Sequence, residues 1–385
     1  MADQVYTIEK LVAGGMGIVH DGTQTIFVPF VIPGEQVKIE IEPGTRKPVR
    51  AAVRELVSQS EDRVEPPCPL FKRCGGCQLQ HIAYPKQVSL KQEILTETLL
   101  RLGRLQAQIS PLIPSPQFYR YRRRIRLHVS AGRAGFYAEW KRELVPVPYC
   151  FLAEETINRE LANLSEFIKR DRARSIELIA EAEDICLAVV EGAREQKIYC
   201  RQKGGNWRLA PDRKIAFQQV NPEQNQALRN LIAGLAAELK PTGVIELYAG
   251  SGNLTEVILP HCGWLVAVDA DREAVELAQE TLGAAFNQRA KFVRQEAEVY
   301  LTSVLKNKLK PDLVVLDPPR TGAKEAIPGI IRLGPAHLIY VSCDPASLAR
   351  DLKELIAAGY QLRSLTPLDM FPQTAHIEAV AALFK

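Results

Sequence analysis

Short alternations of hydrophobic and polar residues, broken by glycine and proline, mark the first 58 residues of this 385-residue chain. Two of these runs, 25–31 and 36–41, predict short strands, and 36–41 has the period of two that is typical of a half-buried strand. The pattern therefore predicts a small, OB-like β-barrel over residues 1–58. A polar, proline-containing stretch at 61–67 then predicts a linker.

The next stretch, residues 59–205, mixes both periodicities. Apolar residues recur at helical spacing over 85–102, and Gly103 follows as a stop signal. This predicts an amphipathic helix that can pack on the C-terminal domain. Apolar runs at 125–129 and 135–137 predict strands. We therefore expect a central α+β domain.

Strands and helices alternate regularly over residues 206–385. Asn221 followed by Pro222 is a favourable helix start, and helical apolar spacing continues as far as Leu239. A further helix is predicted at 272–282, and strands are predicted at 244–248, 266–269, 313–317 and 338–342. Such alternation predicts an α/β domain with a doubly wound, largely parallel, Rossmann-like sheet.

The composition narrows the class of protein. With 46% hydrophobic and 24% charged residues the chain is globular, and a net charge of +4 neither requires nor excludes a nucleic-acid partner. The sequence lacks a long apolar run and a secretory leader pattern, so we expect a cytoplasmic protein without a membrane partner. For the same reason the eight cysteines are not expected to form disulfides.

A glycine-rich loop, Gly250-Ser251-Gly252-Asn253, follows the strand predicted at 244–248. Such a turn brings backbone N–H groups close to a ligand. The next strand ends in Asp269, where an acidic side chain in such folds binds ribose hydroxyls; capping of the following helix is the alternative. The third glycine of the dinucleotide fingerprint is missing, which disfavours a nicotinamide cofactor and is compatible with S-adenosylmethionine.

Two reactive side chains lie at strand ends, where ligands bind in such a sheet, and a third lies within an apolar run. Cys343 follows the strand at 338–342 and Asp317 ends the strand at 313–317. Glu378 lies in an apolar run, where burial raises the pKa of a carboxylate and lets it act as a base. Each also has a structural interpretation: Cys343 as an inert thiol, Asp317 as a helix cap, and Glu378 as the partner of an arginine.

Cysteines also cluster near the end of the first quarter of the chain. Cys68, Cys74 and Cys77 are close together, and Cys150 is far downstream. Four thiolates suit either zinc or an iron–sulfur cluster. Structural zinc usually uses two Cys-x2-Cys pairs, and only Cys74 and Cys77 have that spacing here.

The segment 119–126 carries five arginines interleaved with tyrosines. Arginines bind phosphates and tyrosines stack on bases, so this segment is a candidate RNA contact. The alternative is a solvated strand face.

Five motifs together resemble those of S-adenosylmethionine-dependent RNA 5-methyluridine methyltransferases. The resemblance extends over nearly the whole chain, and its last two motifs are the most specific. The motifs are Phe217-x-Gln219-Val220-Asn221, the glycine loop at 246–253, Asp317-Pro-Pro-Arg320-x-Gly322, Tyr340-Val-Ser-Cys343-Asp-Pro-Ala, and Asp369-Met-Phe-Pro372-x-Thr-x-His376-x-Glu378.

This resemblance implies a role for each site residue. Cys343 would add to carbon 6 of uracil and activate carbon 5, and Glu378 would remove the carbon 5 proton after methylation. Asp317 would orient uracil in the cofactor pocket. The residues implied in binding S-adenosylmethionine are Gln219, Tyr248, Asn253, Asp269, Glu296 and Asp317. The target base would leave its stack to enter this pocket.

The resemblance also implies a [4Fe–4S] cluster on Cys68, Cys74, Cys77 and Cys150, and a TRAM-type RNA-binding barrel at the N-terminus. The expected partner is RNA rather than DNA, with 23S rRNA favoured over tRNA, and the expected state is a monomer. An enzyme that methylates protein or a base nitrogen would carry Asp/Asn-Pro-Pro-Tyr, where this chain has Arg320. A non-catalytic iron–sulfur RNA-binding protein would not require Cys343 or Glu378.

Overall fold

The computed structural model describes residues 4–42, 48–182, 185–192, 195–215, 218–283, 289–307 and 309–385. The chain divides into two compact units. The N-terminal unit comprises Met1–Ile94, Gln117–Arg213 and Phe371–Ala375, and the C-terminal unit comprises Leu95–Pro116, Lys214–Met370 and His376–Lys385. The sequence predicted a boundary near residue 206 and a helix at 85–102 that can pack on the C-terminal domain, and the end of this helix does belong to that unit. It did not predict that 371–375 belongs to the N-terminal unit.

The N-terminal unit begins with a six-stranded sheet. Its strands are β1 (Val5–Thr7), β2 (Lys10–Val12), β3 (Met16–His20), β4 (Thr25–Val28), β5 (Gln36–Ile41) and β6 (Val49–Ser58), in the order β1-β5-β6-β4-β3-β2. Alternate residues of β4 and β5, such as Ile26 and Val37, enter its core, as the period of two predicted for β5. The end strands β1 and β2 share no ladder among the described residues, so closure into a barrel stays a prediction.

The rest of the N-terminal unit combines helices with an antiparallel sheet. The first helix, α1 (Tyr84–Thr98), continues as one π-helical turn, Leu99–Gly103, so the predicted helix is confirmed. The remaining elements are β7 (Arg124–Ser130), β8 (Arg133–Tyr137), β9 (Leu144–Pro146), α2 (Glu155–Leu161), α3 (Ser165–Arg170), β10 (Ser175–Ala182), β11 (Ile185–Glu191), β12 (Gln196–Gln202) and β13 (Arg208–Leu209), with sheet order β13-β12-β11-β10-β7-β8-β9. Apolar residues of α2 and α3, including Ile157 and Phe167, pack on this sheet, which confirms the α+β prediction.

Residues 371–375 are held in the N-terminal unit by hydrogen bonds to α1 and to the segment after the cysteines. Gln373 has a left-handed backbone (φ +68°), a conformation that costs energy unless its surroundings impose it. Its side-chain oxygen accepts from Gln87 Nε2 at 2.9 Å, and its N–H donates to Gln87 Oε1 at 3.1 Å. Its carbonyl accepts from the backbone N–H groups of Gln78 and Leu79 at 3.1 and 3.0 Å.

We expect Gln87→Ala to lower the free energy of unfolding of this unit by about 1–3 kcal/mol, because the buried amide of Gln373 loses both partners. Glu93→Ala on the exposed face of α1 is the matched control, with an expected change within about 0.5 kcal/mol. Urea unfolding monitored by circular dichroism measures both. Equal stability of the two variants would contradict the importance of the pairing.

The C-terminal unit contains the predicted doubly wound sheet. After α4 (Pro222–Leu239) its elements are β14 (Gly243–Leu247), α5 (Thr255–Ile258), β15 (Trp264–Asp269), α6 (Arg272–Leu282), β16 (Ala290–Arg294), α7 (Ala297–Lys306), β17 (Leu313–Leu316), α8 (Ile327–Leu333), β18 (His337–Ser342), α9 (Pro345–Ala357), β19 (Gln361–Leu368) and β20 (Glu378–Phe384). The strand order is β16-β15-β14-β17-β18-β20-β19. The first five strands in this order are parallel, and β20 runs antiparallel to both of its neighbours, β18 and β19, so the sheet is largely parallel, as predicted.

This strand order positions the site. The chain runs from β14 outwards to β16 and then returns to place β17 on the other side of β14. Ligands bind at such a reversal, beyond the carboxyl ends of the strands. The sequence analysis did not assign β16 or β19, whose mixed burial lacks a clear period. None of the helices in the described residues has the length and apolar character needed to cross a membrane.

Candidate active site

Cys343 and Glu378 meet at the ligand-binding edge of the sheet of the C-terminal unit. Cys343 directly follows β18, and Glu378 is the first residue of β20. Because β20 runs antiparallel to β18, with Ser342 opposite Ala379, the start of β20 lies beside the end of β18. The two predicted catalytic residues are therefore neighbours, and Cys343 keeps part of its surface exposed.

The electrostatic surroundings of Cys343 hold its thiol in the protonated form. Burial raises the pKa of Cys343 to about 12, and the negative charges of Glu378 and Asp317 add to this rise. The Arg320 guanidinium acts in the opposite direction. Nucleophilic attack by this sulfur therefore requires a base that takes the thiol proton.

The two carboxyl groups beside Cys343 have raised pKa values. Burial raises the pKa of Glu378 well above its usual value, and Asp317 adds to this rise. Burial also raises the pKa of Asp317. Asp317 does not cap a helix, since α8 begins ten residues after it, and Glu378 is the first residue of strand β20. A pair of acids with raised pKa values is suited to exchanging protons near neutral pH.

The sequence analysis gave Arg320 no role at the site. The positive charge of Arg320 lowers the pKa values of both Cys343 and Glu378. Its Nη2 lies 3.1 Å from Nε2 of His376. Its position three residues after Asp317 in the Asp-Pro-Pro-Arg motif was the available signal.

Removing the Glu378 charge has a testable effect on the thiol. Glu378 raises the pKa of the Cys343 thiol only when it is ionised, so Glu378→Gln lowers the thiol pKa. The difference between the two proteins grows as the pH rises through the pKa of Glu378. We expect Cys343 in Glu378→Gln to react several-fold faster with iodoacetamide at pH 8–9, as measured by mass spectrometry of the peptide. Glu354→Gln on the exposed face of α9 should leave the rate unchanged. Equal labelling of all three proteins would refute this coupling.

The glycine loop at the end of β14 forms a turn with left-handed backbone at alternate positions. Tyr248 has φ +61° and Gly250 has φ +54°, and nothing lies within 4 Å of the position that a side chain of Gly250 would occupy. Gly252 (φ +89°) packs closely on Leu282, so a side chain there would clash. The loop thus has open space at Gly250 next to the carboxyl end of the sheet.

Asp269 stabilises this loop. Its Oδ2 accepts from the Gly250 N–H at 2.7 Å and its Oδ1 accepts from the Asp271 N–H at 2.8 Å. The cap of α6 is Asp271, which accepts from the Ala274 N–H at 3.1 Å. The alternative interpretation of Asp269 as the helix cap is therefore wrong.

The other residues implied in cofactor binding differ in their surroundings. The side-chain amides of Asn253 and Asn225 exchange two hydrogen bonds, of 3.0 and 2.9 Å. The backbone carbonyl of Asn253 accepts from Arg229 at 2.8 Å. Asn253 therefore fixes the loop against α4, a contact that the sequence did not predict. Gln219 is half-buried and Glu296 is exposed at the N-terminus of α7. Phe217 lies outside the described residues.

One buried acid beneath the glycine loop was missed. Glu246 lies within β14, where its Oε2 accepts from the Thr255 hydroxyl at 2.6 Å. Burial raises the pKa of Glu246 to about 8, with the charges of Asp317 and Asp269 contributing. The available signal was a glutamate inside an otherwise apolar strand.

The loop that carries Asp317 and Arg320 is anchored by a buried carboxylate on α9. Asp351 accepts from the Tyr340 hydroxyl at 2.6 Å and from the Ala323 N–H at 2.8 Å. The neighbouring Arg350 donates to the Thr321 carbonyl at 2.8 Å. Since Tyr340 belongs to the strand that precedes Cys343, this network fixes the Asp317 loop relative to Cys343.

In the N-terminal unit, the four cysteines of the predicted cluster influence one another. The charge of Cys150 raises the pKa values of Cys68, Cys74 and Cys77, although burial is the larger cause for all three. Cys68 and Cys74 also have backbone hydrogen bonds that lower their pKa values. Among the residues that the structure describes, no group of three or more His, Cys, Asp or Glu side chains is arranged to hold a metal ion.

The arginine-rich segment 119–126 is largely engaged within the N-terminal unit. Arg124 forms a bidentate pair with Glu177 at 2.6 and 2.8 Å, and Arg126 contacts Glu191 at 2.7 Å. Two further arginines pair with acids of the α2 region: Arg120 with Glu155 and Arg123 with Glu154. Tyr121 is buried, where its hydroxyl donates to the Pro372 carbonyl at 3.0 Å, so it offers no stacking face.

The fold and the site together define an α/β enzyme of the methyltransferase class, with a ligand loop and a cysteine at one edge of the sheet. A family model described as tRNA (uracil-5-)-methyltransferase matches residues 141–385. The chain therefore belongs to the tRNA (uracil-5-)-methyltransferase family of RNA-methylating enzymes.

Individual relatives cover nearly the full length. An uncharacterised RNA methyltransferase of Bdellovibrio bacteriovorus is 32% identical, covering 98% of this chain and 93% of its own. The 23S rRNA (uracil(1939)-C(5))-methyltransferase RlmD of Alcanivorax borkumensis is 28% identical over 98% of this chain and 96% of its own. The crystal structure of Pyrococcus abyssi tRNA (uracil-54, C5)-methyltransferase with S-adenosyl-L-homocysteine shares the fold, with a TM-score of 0.68, 24% identity and coverage of 99% and 100%.

Proposed function

We propose that the protein transfers a methyl group from S-adenosylmethionine to carbon 5 of a uridine in RNA, through a covalent bond between Cys343 and carbon 6 of the base. One observation carries this proposal: a partly exposed thiol lies beside two acids of raised pKa at the edge of the sheet where the glycine loop also ends. The alternative of a non-catalytic RNA-binding protein gives no reason for this combination.

Attack on uracil begins with loss of the thiol proton. We assign this proton to Asp317, one of the two carboxylates beside the thiol, which leaves Glu378 ionised for the later step. The sulfur then forms a bond to carbon 6, and the electron pair of the 5,6 double bond moves towards carbon 5 and oxygen 4. Arg320 supplies a positive charge that stabilises both the thiolate and the enolate.

The residues around the glycine loop fit a nucleoside-containing methyl donor. Open space lies over Gly250, and Asp269 holds the loop while keeping part of its surface exposed. We assign Gln219, Tyr248, Asp269 and Glu296 to binding the donor, Asn253 to fixing the loop that receives it, and Asp317 to orienting uracil beside it. When bound, S-adenosylmethionine supplies an electrophilic methyl group on a sulfonium, which carbon 5 accepts.

Release of the product requires a base. After methylation, carbon 5 carries both the methyl group and a proton. Glu378 removes this proton, the pair of electrons restores the 5,6 double bond, and the carbon 6–sulfur bond breaks to regenerate Cys343. The raised pKa of Glu378 suits it to hold this proton.

The target RNA is tested directly with labelled substrates. The RlmD relative supports 23S rRNA as the target, and the name of the matched family supports tRNA as the alternative. The enzyme is incubated with tritiated S-adenosylmethionine and either RNA, and the digested nucleosides are separated. Label in 5-methyluridine from the rRNA alone supports our first choice, and label from tRNA alone supports the second. Label in any other nucleoside, or none, would reject the proposed chemistry.

We further propose that Cys68, Cys74, Cys77 and Cys150 bind a [4Fe–4S] cluster. Each iron of such a cluster takes one cysteine, so the four thiols need not converge on a single ion. The mutual effects of the four thiols on their pKa values, and the hydrogen bonds to two of them, fit this donor set. The cluster would stabilise the segment between the two sheets of the N-terminal unit.

Anaerobic purification tests the cluster. We expect about four irons and four sulfides per chain, brown absorbance, and loss of both in Cys77→Ser. Cys200→Ser removes a thiol outside the set and should retain the iron. Zinc in place of iron and sulfide would overturn the assignment, because zinc gives no such absorbance.

A further inference from the structure

A cleft of about 630 Å³ in the N-terminal unit has no role in the chemistry described above. It is formed by β6, by the segment before Cys74 and by the turn after β8. The residues that give it its character are Arg50, Lys72, Arg73, Trp140 and Lys141. All of them lie within one compact unit.

The cleft presents an aromatic ring to solvent. Trp140 is 56% exposed, the largest exposed fraction among the large hydrophobic residues described. The guanidinium of Arg50 lies over the indole, 4.6 Å from the ring centre. A large part of the indole is therefore exposed to solvent. A flat ring beside a guanidinium is the arrangement on which nucleic-acid bases stack.

The charges around the ring are predominantly unpaired cations. Lys72, Arg73 and Lys141 are exposed, and none forms an ion pair among the described residues. By contrast, the other arginine of the lining, Arg63, is bound to the buried Glu35 at 2.6 Å. A cluster of free cations beside a stacking surface attracts phosphates.

The acidic residues of the cleft offset only part of this charge. Glu42, Glu139 and Glu143 line it. The four cations Arg50, Lys72, Arg73 and Lys141 therefore leave a positive balance.

We propose that this cleft binds a single-stranded segment of the substrate RNA, with one base stacked on Trp140 and the adjoining phosphates at Lys72, Arg73 and Lys141. The inference rests on the proposed RNA substrate and adds a second binding site to the catalytic pocket. A single strand fits because only an unpaired base exposes its face to the indole. The cleft thus takes over the role that the sequence suggested for residues 119–126, where four of the five arginines are engaged in internal ion pairs.

Fluorescence anisotropy of a labelled single-stranded oligoribonucleotide with the full-length protein tests the stacking. We expect Trp140→Ala to raise the Kd about 5- to 150-fold, and Trp140→Phe to retain most of the affinity. A duplex of the same sequence should bind more weakly to the wild-type protein and be insensitive to Trp140→Ala. Equal Kd values for Trp140→Ala and the wild type would overturn the proposal, as would equal sensitivity of the duplex.

Salt dependence tests the phosphate contacts. Replacing Lys72, Arg73 and Lys141 together by glutamine should lower the slope of log Kd against log salt concentration by about 2, since each single-strand contact contributes about 0.7. Lys353→Gln, an exposed lysine of α9, is the control and should leave the slope unchanged. An unchanged slope in the triple variant, or displacement of RNA by polyglutamate at equal charge concentration, would reject RNA as the occupant.

The outcome separates this site from the proposed reaction. Binding is measured without the methyl donor, so it does not depend on catalysis. Normal formation of 5-methyluridine with no effect of Trp140→Ala on either Kd or KM would remove the cleft and keep the function. RNA binding that depends on Trp140, without any methyl transfer, would keep the cleft and remove the function.

Discussion

Cys343→Ala is expected to abolish methyl transfer, with a loss of at least about 10⁴-fold in kcat, because the proposed reaction activates carbon 5 through the bond from this sulfur to carbon 6. The same variant should form no adduct with RNA that contains 5-fluorouridine. In the wild type this analogue leaves fluorine where Glu378 would remove a proton, so the covalent complex persists. Denaturing gel electrophoresis with labelled RNA measures the adduct.

A matched variant separates the nucleophile from general loss of a thiol. Cys200→Ala removes a half-buried cysteine of the N-terminal unit and should retain both turnover and adduct formation. Cys343→Ala should still bind RNA, since the thiol contributes to reaction rather than to affinity. A gel-stable adduct in Cys343→Ala would show that another residue is the nucleophile.

Glu378→Gln is expected to block the second half of the reaction. Glutamine has nearly the shape of glutamate but cannot take the carbon 5 proton, so turnover should fall about 10²- to 10⁴-fold. The methylated RNA should then remain bound to Cys343 with ordinary uridine as the target. A labelled methyl group that migrates with the protein on a denaturing gel measures this species.

The charge of Glu378 makes this variant informative in a second respect. Its loss lowers the pKa of the Cys343 thiol, so attack should be as fast as in the wild type or faster while release is slow. A burst of adduct followed by slow turnover is therefore the expected time course. Glu354→Gln should show neither burst nor slowing. Turnover at the wild-type rate in Glu378→Gln would assign the base to another residue, with Asp317 the nearest candidate.

The largest part of the C-terminal unit could be predicted from periodicity. The strands at 244–248, 266–269, 313–317 and 338–342 were found because fully buried parallel strands are continuous apolar runs. Strand β16 was missed because its residues are only partly buried and carry charges at both ends. The place of 371–375 in the N-terminal unit could not be predicted, since its partners, such as Gln87, lie far away in the sequence.

The functions of polar side chains are less predictable from the sequence than the helices and strands that carry them. The segment 119–126 has the composition of a nucleic-acid contact. Glu177 on β10 and Glu191 on β11, however, neutralise Arg124 and Arg126. Asn253 lies in the glycine loop, yet its side-chain amide is hydrogen-bonded to that of Asn225. Such pairing depends on register and packing, which local composition does not encode.

The sequence by itself determined the α/β class of the C-terminal unit and the candidates Cys343 and Asp317, because strand ends can be recognised from the local pattern. It also indicated Glu378, because a carboxylate stands out in an apolar run. Only the tertiary structure decided that these groups act on one another. The antiparallel entry of β20 beside β18 brings Glu378 next to Cys343, and burial there changes the pKa values of both. Desolvation and charge proximity are properties of the folded surroundings, so no sequence pattern could supply them.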